Sequence, residues 1–269
     1  MGHADVSREA ERHLAEGTGD ATRPAPAFYA HPRGARRGWA ADAWTLLHPP
    51  YTAWHLASVV VGACLVGPVS VSRLCATLLA FFLAVGVGAH ALDELQGRPL
   101  RTALPDRVLV GSAVVGLGGA TALGLVGAMV VGPWLLAFVA AGLVLALGYN
   151  LELFGGVLHR DAWFAAAWGA FPVLTAAFAQ HDAVGWPAVV AAAFAFCIAA
   201  AQRTLSTPAR ALRRRTSRVE GVIVREDGTR EPLTAASMLA PLEAALKWLS
   251  WSMVALAVAL AIAQLVNAR

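Results

Sequence analysis

The segment AHALDELQGRPLRT sets His90, Asp93 and Glu94 at i, i+3 and i+4, one face of a helix. Two carboxylates and an imidazole in a closing helical turn are costly in apolar surroundings unless they line a wet cavity or hold a cation. Oxygen donors of this kind suit Mg²⁺, which keeps its waters and bridges to substrate phosphates. A His/Asp/Glu face equally suits zinc or iron, or the acids are interfacial charges paired with Arg98 and Arg101. A second segment, GYNLELFGGVLHRD, brings Tyr149, Asn150 and Glu152, with His159 and Asp161 placed to cap the helix that follows. A third, AAAQRTLSTPAR, brings Gln202 and Arg203. Arg203 is either a partner for an anionic group or a routine anchor at a helix end. The sequence contains no nucleophile elbow, P-loop, dinucleotide fingerprint or HExxH motif.

The elements that must position these residues are membrane spans. Of 269 residues, 58% are hydrophobic and only 14% charged, well short of the ~25% charged residues of soluble domains. Seven apolar stretches are expected to cross the ~30 Å of bilayer hydrocarbon. They are Thr52–Val66, Val71–Leu95, Arg107–Val126, Gly127–Tyr149, Asp161–Gln180, Val184–Thr204 and Pro241–Val266. A corner at Gly127–Pro133 separates the third from the fourth. The expected fold is therefore an all-α polytopic transmembrane bundle. Cys64, Cys75 and Cys197 lie in apolar stretches without CxxC or CxxH spacing and read as small buried side chains.

All of the 21 Lys and Arg except Arg73 and Arg269 fall on one side of this arrangement. The bias predicts a cytoplasmic amino terminus, an outside carboxyl terminus and residence in the cell membrane. It also accounts for the net charge of +4 without a nucleic-acid partner. Charged residues only at the inner ends of spans argue against an ion pump. Residues 1–43 are expected to be a disordered, then amphipathic, cytoplasmic segment. The first fifty residues are polar, with no apolar core near Met1 to serve as a cleavable signal. Residues 44–204 form the membrane core, 205–240 a basic cytoplasmic loop and 241–269 the final span. Within the loop, GVIVREDGTREPL predicts a hairpin around Asp227–Gly228. The basic run ARALRRRTSR reads as a membrane-surface anchor or as a clamp for a phosphorylated group. Gln180, His181 and Asp182 read as a solvated turn on the opposite side.

Several segments resemble the UbiA superfamily of intramembrane prenyltransferases over roughly residues 44–205. LLHPPYTAWHLASVVVGACL is similar to that family's first helix, and AHALDELQGRPL falls where its first aspartate-rich motif ends the second. GYNLELFGG sits where the family closes its fourth helix on a tyrosine, and WGAFPVLTAAFA is similar to its fifth. The resemblance implies a helix bundle with a cytoplasm-facing cavity, an isoprenyl diphosphate donor, an isoprenoid or other lipid substrate, and Mg²⁺. It implies a metal site on Asp93 and Glu94. Asp93, Glu94 and Tyr149 would be catalytic, and His90, Arg98, Asn150, Glu152, Gln202 and Arg203 would bind substrate. The chain departs from the pattern in two places. Gly97 stands at the second aspartate of the first motif, and QRTLSTPAR carries no acid where the second motif belongs. Alternatives from other classes are a non-catalytic lipid-binding or transport protein and a metal-dependent membrane hydrolase or oxidase.

Overall fold

The computed structural model describes residues 38–65 and 67–267. The disorder expected before Gly38, the last residue of the first span at Val66, and Arg269 lie outside the described residues. Two compact units divide the described chain: residues 38–203 with 247–267, and residues 204–246.

The larger unit is a helix bundle. Helix α1 (Trp39–Leu47) ends at His48, in the left-handed region at φ 47°, and Pro49 and Pro50 open α2 (Pro49–Cys64). Proline suits a first turn because its missing N–H has no helical partner there. Helix α3 (Val71–Leu95), α4 (Asp106–Val131), α6 (Asp161–His181), α7 (Trp186–Arg214) and α8 (Ala235–Asn267) are each long and apolar enough to cross a membrane. Helix α5 (Leu135–Asn150) is apolar but, like α2, only 16 residues long. At 1.5 Å per residue each of these two reaches about 24 Å. Five of the seven expected spans thus meet the length of a crossing. The corner between α4 and α5 falls at Gly132, whose φ of 152° and closeness to the Asp182 carboxylate leave no room for a side chain.

Helix α6 is the hub. Two thirds (67%) of its apolar window is buried, against 11% for α4 and α8. Lipid supplies no hydrophobic drive between helices, so close packing of small residues has to. Gly62 of α2 lies on the Val173 backbone of α6, Gly169 of α6 on the Ala195 backbone of α7, and Gly116 of α4 on the α3 backbone at Leu83 and Gly88. A Cβ at any of the three would meet main chain. Trp54, Ala57 and Val61 of α2 pack with Ala165 of α6, Ala199 of α7 and Met253 and Ala257 of α8. Gln264 Nε2 donates to the Cys64 carbonyl at 2.8 Å. Cys64 is buried, but Cys75 and Cys197 are exposed on α3 and α7, contrary to expectation. An apolar helix turned toward lipid reads in sequence like one turned toward core.

The smaller unit contains a two-stranded antiparallel hairpin, β1 (Val222–Val224) and β2 (Arg230–Pro232). Asp227 Oδ1 accepts from the Thr229 N–H at 2.9 Å and hydroxyl at 2.7 Å, and Gly228 takes the positive φ of the turn. These bonds hold the Asp227 carboxyl below the usual aspartate range. Thr234 and Ser237 cap the start of α8 reciprocally. Helices run further into this unit than expected: α7 continues through Pro208 to Arg214, and Pro241 lies inside α8. Part of the basic run is neutralised here, since Arg213 pairs with Glu243.

Candidate functional site

The expected acidic face does not assemble into one site. Glu94 is fully buried, and both its oxygens are committed. Oε1 accepts from the Thr102 N–H at 2.8 Å and hydroxyl at 2.9 Å, and Oε2 from the Leu100 N–H at 2.8 Å. Glu94 therefore anchors the loop that joins α3 to α4. Arg98 belongs to the same clasp, donating to the Leu104 carbonyl and pairing with Asp106. Buried Asp42 of α1 accepts from the Ala103 N–H at 3.1 Å on the same loop. Asp93 and Glu152 are exposed. Asn150 is buried, with its amide returned to the Ala146 carbonyl of its own helix at 2.7 Å. Glu94 spends both oxygens on the loop, so of the expected Mg²⁺ pair only Asp93 keeps a carboxylate at the surface. Among the described residues no three His, Cys, Asp or Glu side chains stand together as metal ligands.

What converges is a set of rings. Tyr51, on the first turn of α2, is the hub: its ring lies 4.5 Å from His55, 5.7 Å from His48, 5.8 Å from Trp54, 6.0 Å from His90 and 6.3 Å from Phe164. His55 is buried and meets Trp168 at 5.6 Å, and Trp168 meets Tyr149 at 5.7 Å. Tyr149 stacks on His159 at 4.5 Å, and the Arg203 guanidinium sits 5.1 Å over the Phe164 face. Asp161 binds Arg203 at 2.8 Å, so Asp161 and His159 serve this cluster and not the helix cap expected of them. Gln202 leaves a buried Oε1 without a hydrogen-bond partner among the described residues. Two π-helical segments flank the rings: Phe82–Ala89, immediately before His90, and Ala166–Ala170, which contains Trp168. Such insertions re-aim side chains and recur at functional sites.

Of the expected residues, His90, Tyr149 and Arg203 thus join the ring cluster, while Glu94 and Arg98 hold a loop. Sequence reasoning missed Tyr51, His55, Phe164 and Trp168. The signal was present in HPPYTAWH, where a Pro-Pro helix start is followed by Tyr51 and His55 at i and i+4.

Trp168 also closes one end of a cavity of about 320 Å³ between α3, α4, α5 and α6. Its walls are almost wholly apolar, and its volume lies in the lower range of ligand pockets, about 300–1,000 Å³. At the Trp168 end the lining residues Val85, Ala146 and Ala167 are buried, whereas at the other end Ser72, Ala76, Val126 and Val130 are exposed. The cavity is therefore blind beside the ring cluster and open at the far end of α3. There Arg73 donates to the Gln180 carbonyl at 2.7 Å and the Val130 carbonyl at 3.3 Å. Gln180 is buried and accepts from the Ser70 N–H at 2.9 Å, so the segment read as a solvated turn is a helix-end clasp. No family model, curated protein or solved structure matches this chain.

Proposed function

We propose that this chain is a membrane-embedded lipid-binding protein that receives one long apolar chain in the cavity between α3, α4, α5 and α6. The cavity itself carries the reading: its walls are apolar, one end is closed by Trp168, and the other is open. An isoprenoid or similar lipid chain is the matching occupant, because apolar walls recognise shape and hydrophobicity. The basic-residue asymmetry supports a cytoplasmic amino terminus and seven crossings, with α2 and α5 spanning by local bilayer thinning. Thr121 lines the cavity, and Thr121→Phe fills it. Native mass spectrometry of the chain released from lipid nanodiscs checks the reading. A retained lipid in the wild type that is lost in Thr121→Phe supports it; equal retention in both rejects it.

Prenyl transfer, implied by the UbiA resemblance, is the second reading. The faces of Tyr51, Trp54, Tyr149, Phe164 and Trp168 favour it, since aromatic faces stabilise a cation of the allylic kind. Release of diphosphate from geranylgeranyl diphosphate by the purified chain is its test. A wild type that binds lipid and releases no diphosphate removes this reading while leaving the first in place.

A further inference from the structure

Arg73 is the sole charged residue among those lining the cavity. It stands at the open end, and among the described residues no carboxylate forms an ion pair with it. Its two bonds to carbonyls of α4 and α6 fix the guanidinium across three helix ends. A guanidinium carries five N–H donors, so three remain for another acceptor. Ser72 lines the same mouth, its hydroxyl 3.1 Å from that of Ser70. Gln180, whose carbonyl holds Arg73, has its side-chain oxygen on the Ser70 N–H and its Nε2 buried without an acceptor among the described residues. Asp182, in the same turn, is exposed, packs against Gly132 and does not line the cavity. The mouth thus gathers a fixed cation and a hydroxyl, both able to donate, while Gln180 stands behind them as the support of Arg73.

A group with several anionic oxygens answers both the Arg73 guanidinium and the Ser72 hydroxyl, and phosphate is that group. The cavity behind Arg73 specifies what the phosphate is attached to. From Arg73 to Val85 is twelve residues of α3, about 18 Å at 1.5 Å per residue, walled by apolar side chains. We propose that the Arg73 end of the cavity binds the phosphate of a lipid whose chain runs down the cavity toward Trp168. This deepens the lipid-binding reading and rests on it. It also assigns a direction: the head lies at the Arg73 end, and the tip of the chain reaches the ring cluster.

The test uses the full chain in maltoside micelles with two radiolabelled probes of equal chain length, hexadecyl phosphate and hexadecanol. The wild type is expected to bind the phosphate at least about tenfold tighter, the effect of one or two charge-assisted hydrogen bonds. Arg73→Gln is expected to reduce phosphate binding to the alcohol's level without changing the alcohol's own binding. Because Arg73 also ties helix ends together, Ser72→Asp serves as a second variant: it sets an anion at the mouth and leaves both Arg73 bonds in place. It is expected to abolish the phosphate preference as well, and Thr121→Phe to abolish binding of both probes. A phosphate preference that survives Arg73→Gln and Ser72→Asp overturns the headgroup site. If Thr121→Phe still blocks both probes in that case, the lipid-binding reading stands alone. A wild type that binds neither probe, or a Thr121→Phe variant that binds both normally, overturns the two readings together.

Discussion

The two ends of α3 handle charge in opposite ways. At the His90 end Glu94 and Arg98 are paired within the protein: Glu94 holds three donors of the loop, and Arg98 holds a carbonyl and the Asp106 carboxylate. At the Arg73 end a single cation is positioned by carbonyls, faces a cavity and pairs with no acid among the described residues. At the acid-rich end Glu94 and Arg98, which look chemical in the sequence, hold the loop between α3 and α4 in the fold. The sparse end looks like a membrane anchor and commands the mouth of the cavity. What separates them is whether a charge is already answered within the protein: Glu94 by the loop donors and Arg98 by Asp106, whereas Arg73 meets carbonyls and lines a cavity.

The largest expected effect tests the saturated end. Glu94→Ala leaves three donors, two of them buried, without an acceptor and is expected to cost on the order of 4 kcal/mol. Asp93→Ala, one residue away but exposed, is expected to stay within about 1 kcal/mol. Thermal unfolding followed by fluorescence-detected size-exclusion chromatography reads both. Equal losses at the two positions break the contrast between an architectural acid and a surface one.

Next comes the packing that holds both ends apart. Gly62→Val places a branched side chain against the Val173 backbone of the central helix, with an expected loss of about 3 kcal/mol by the same assay. An unchanged melting temperature there shows that α2 and α6 are not in close backbone contact. Thr121→Phe is expected to leave the melting temperature near that of the wild type, because its ring enters existing space. A collapse in that variant would mean the cavity walls cannot hold it open.

The smallest effect compares Glu94 with Asp227, which makes the same kind of clasp in the open. Asp227 also gathers a backbone N–H and a threonine hydroxyl, but on an exposed turn. Its folded pKa is depressed, so its contribution is present above the unfolded aspartate value of about 3.9 and is lost as pH falls through the lower folded value. Amide exchange in Val222–Pro232 is expected to quicken on acidification through that window, while the bundle is unaffected. Exchange that is insensitive to pH in this range, once the intrinsic rate is corrected, removes the role given to Asp227.

The sequence made the helical, membrane-type class legible because hydropathy is an additive property of a stretch. The bounds of α3 were legible to the residue, and the hairpin turn was legible because Asp-Gly carries its own geometry. Pairing between side chains was less so. His90, Asp93 and Glu94 share a helical face in sequence, yet Asp93 and Glu94 stand about 100° apart around the axis, and Glu94 is buried while Asp93 is exposed. The π-helical segment just before His90 rotates that face, and nothing in FLAVGVGA announces it. Tyr51 and Trp168 meet through His55 only because α2 and α6 pack on Gly62, a long-range consequence of one missing side chain. The cavity is a gap between four helices, and no single helix encodes it.

A lipid chain in the space between α3, α4, α5 and α6 is the proposal on which the others rest. A cryo-EM map of the full chain in lipid nanodiscs tests it most directly. Elongated density from Arg73 to Trp168 is expected, continuous with a headgroup feature beside Arg73 and Ser72. An empty gap, or α4 closed against α6 with no room for a chain, would contradict it.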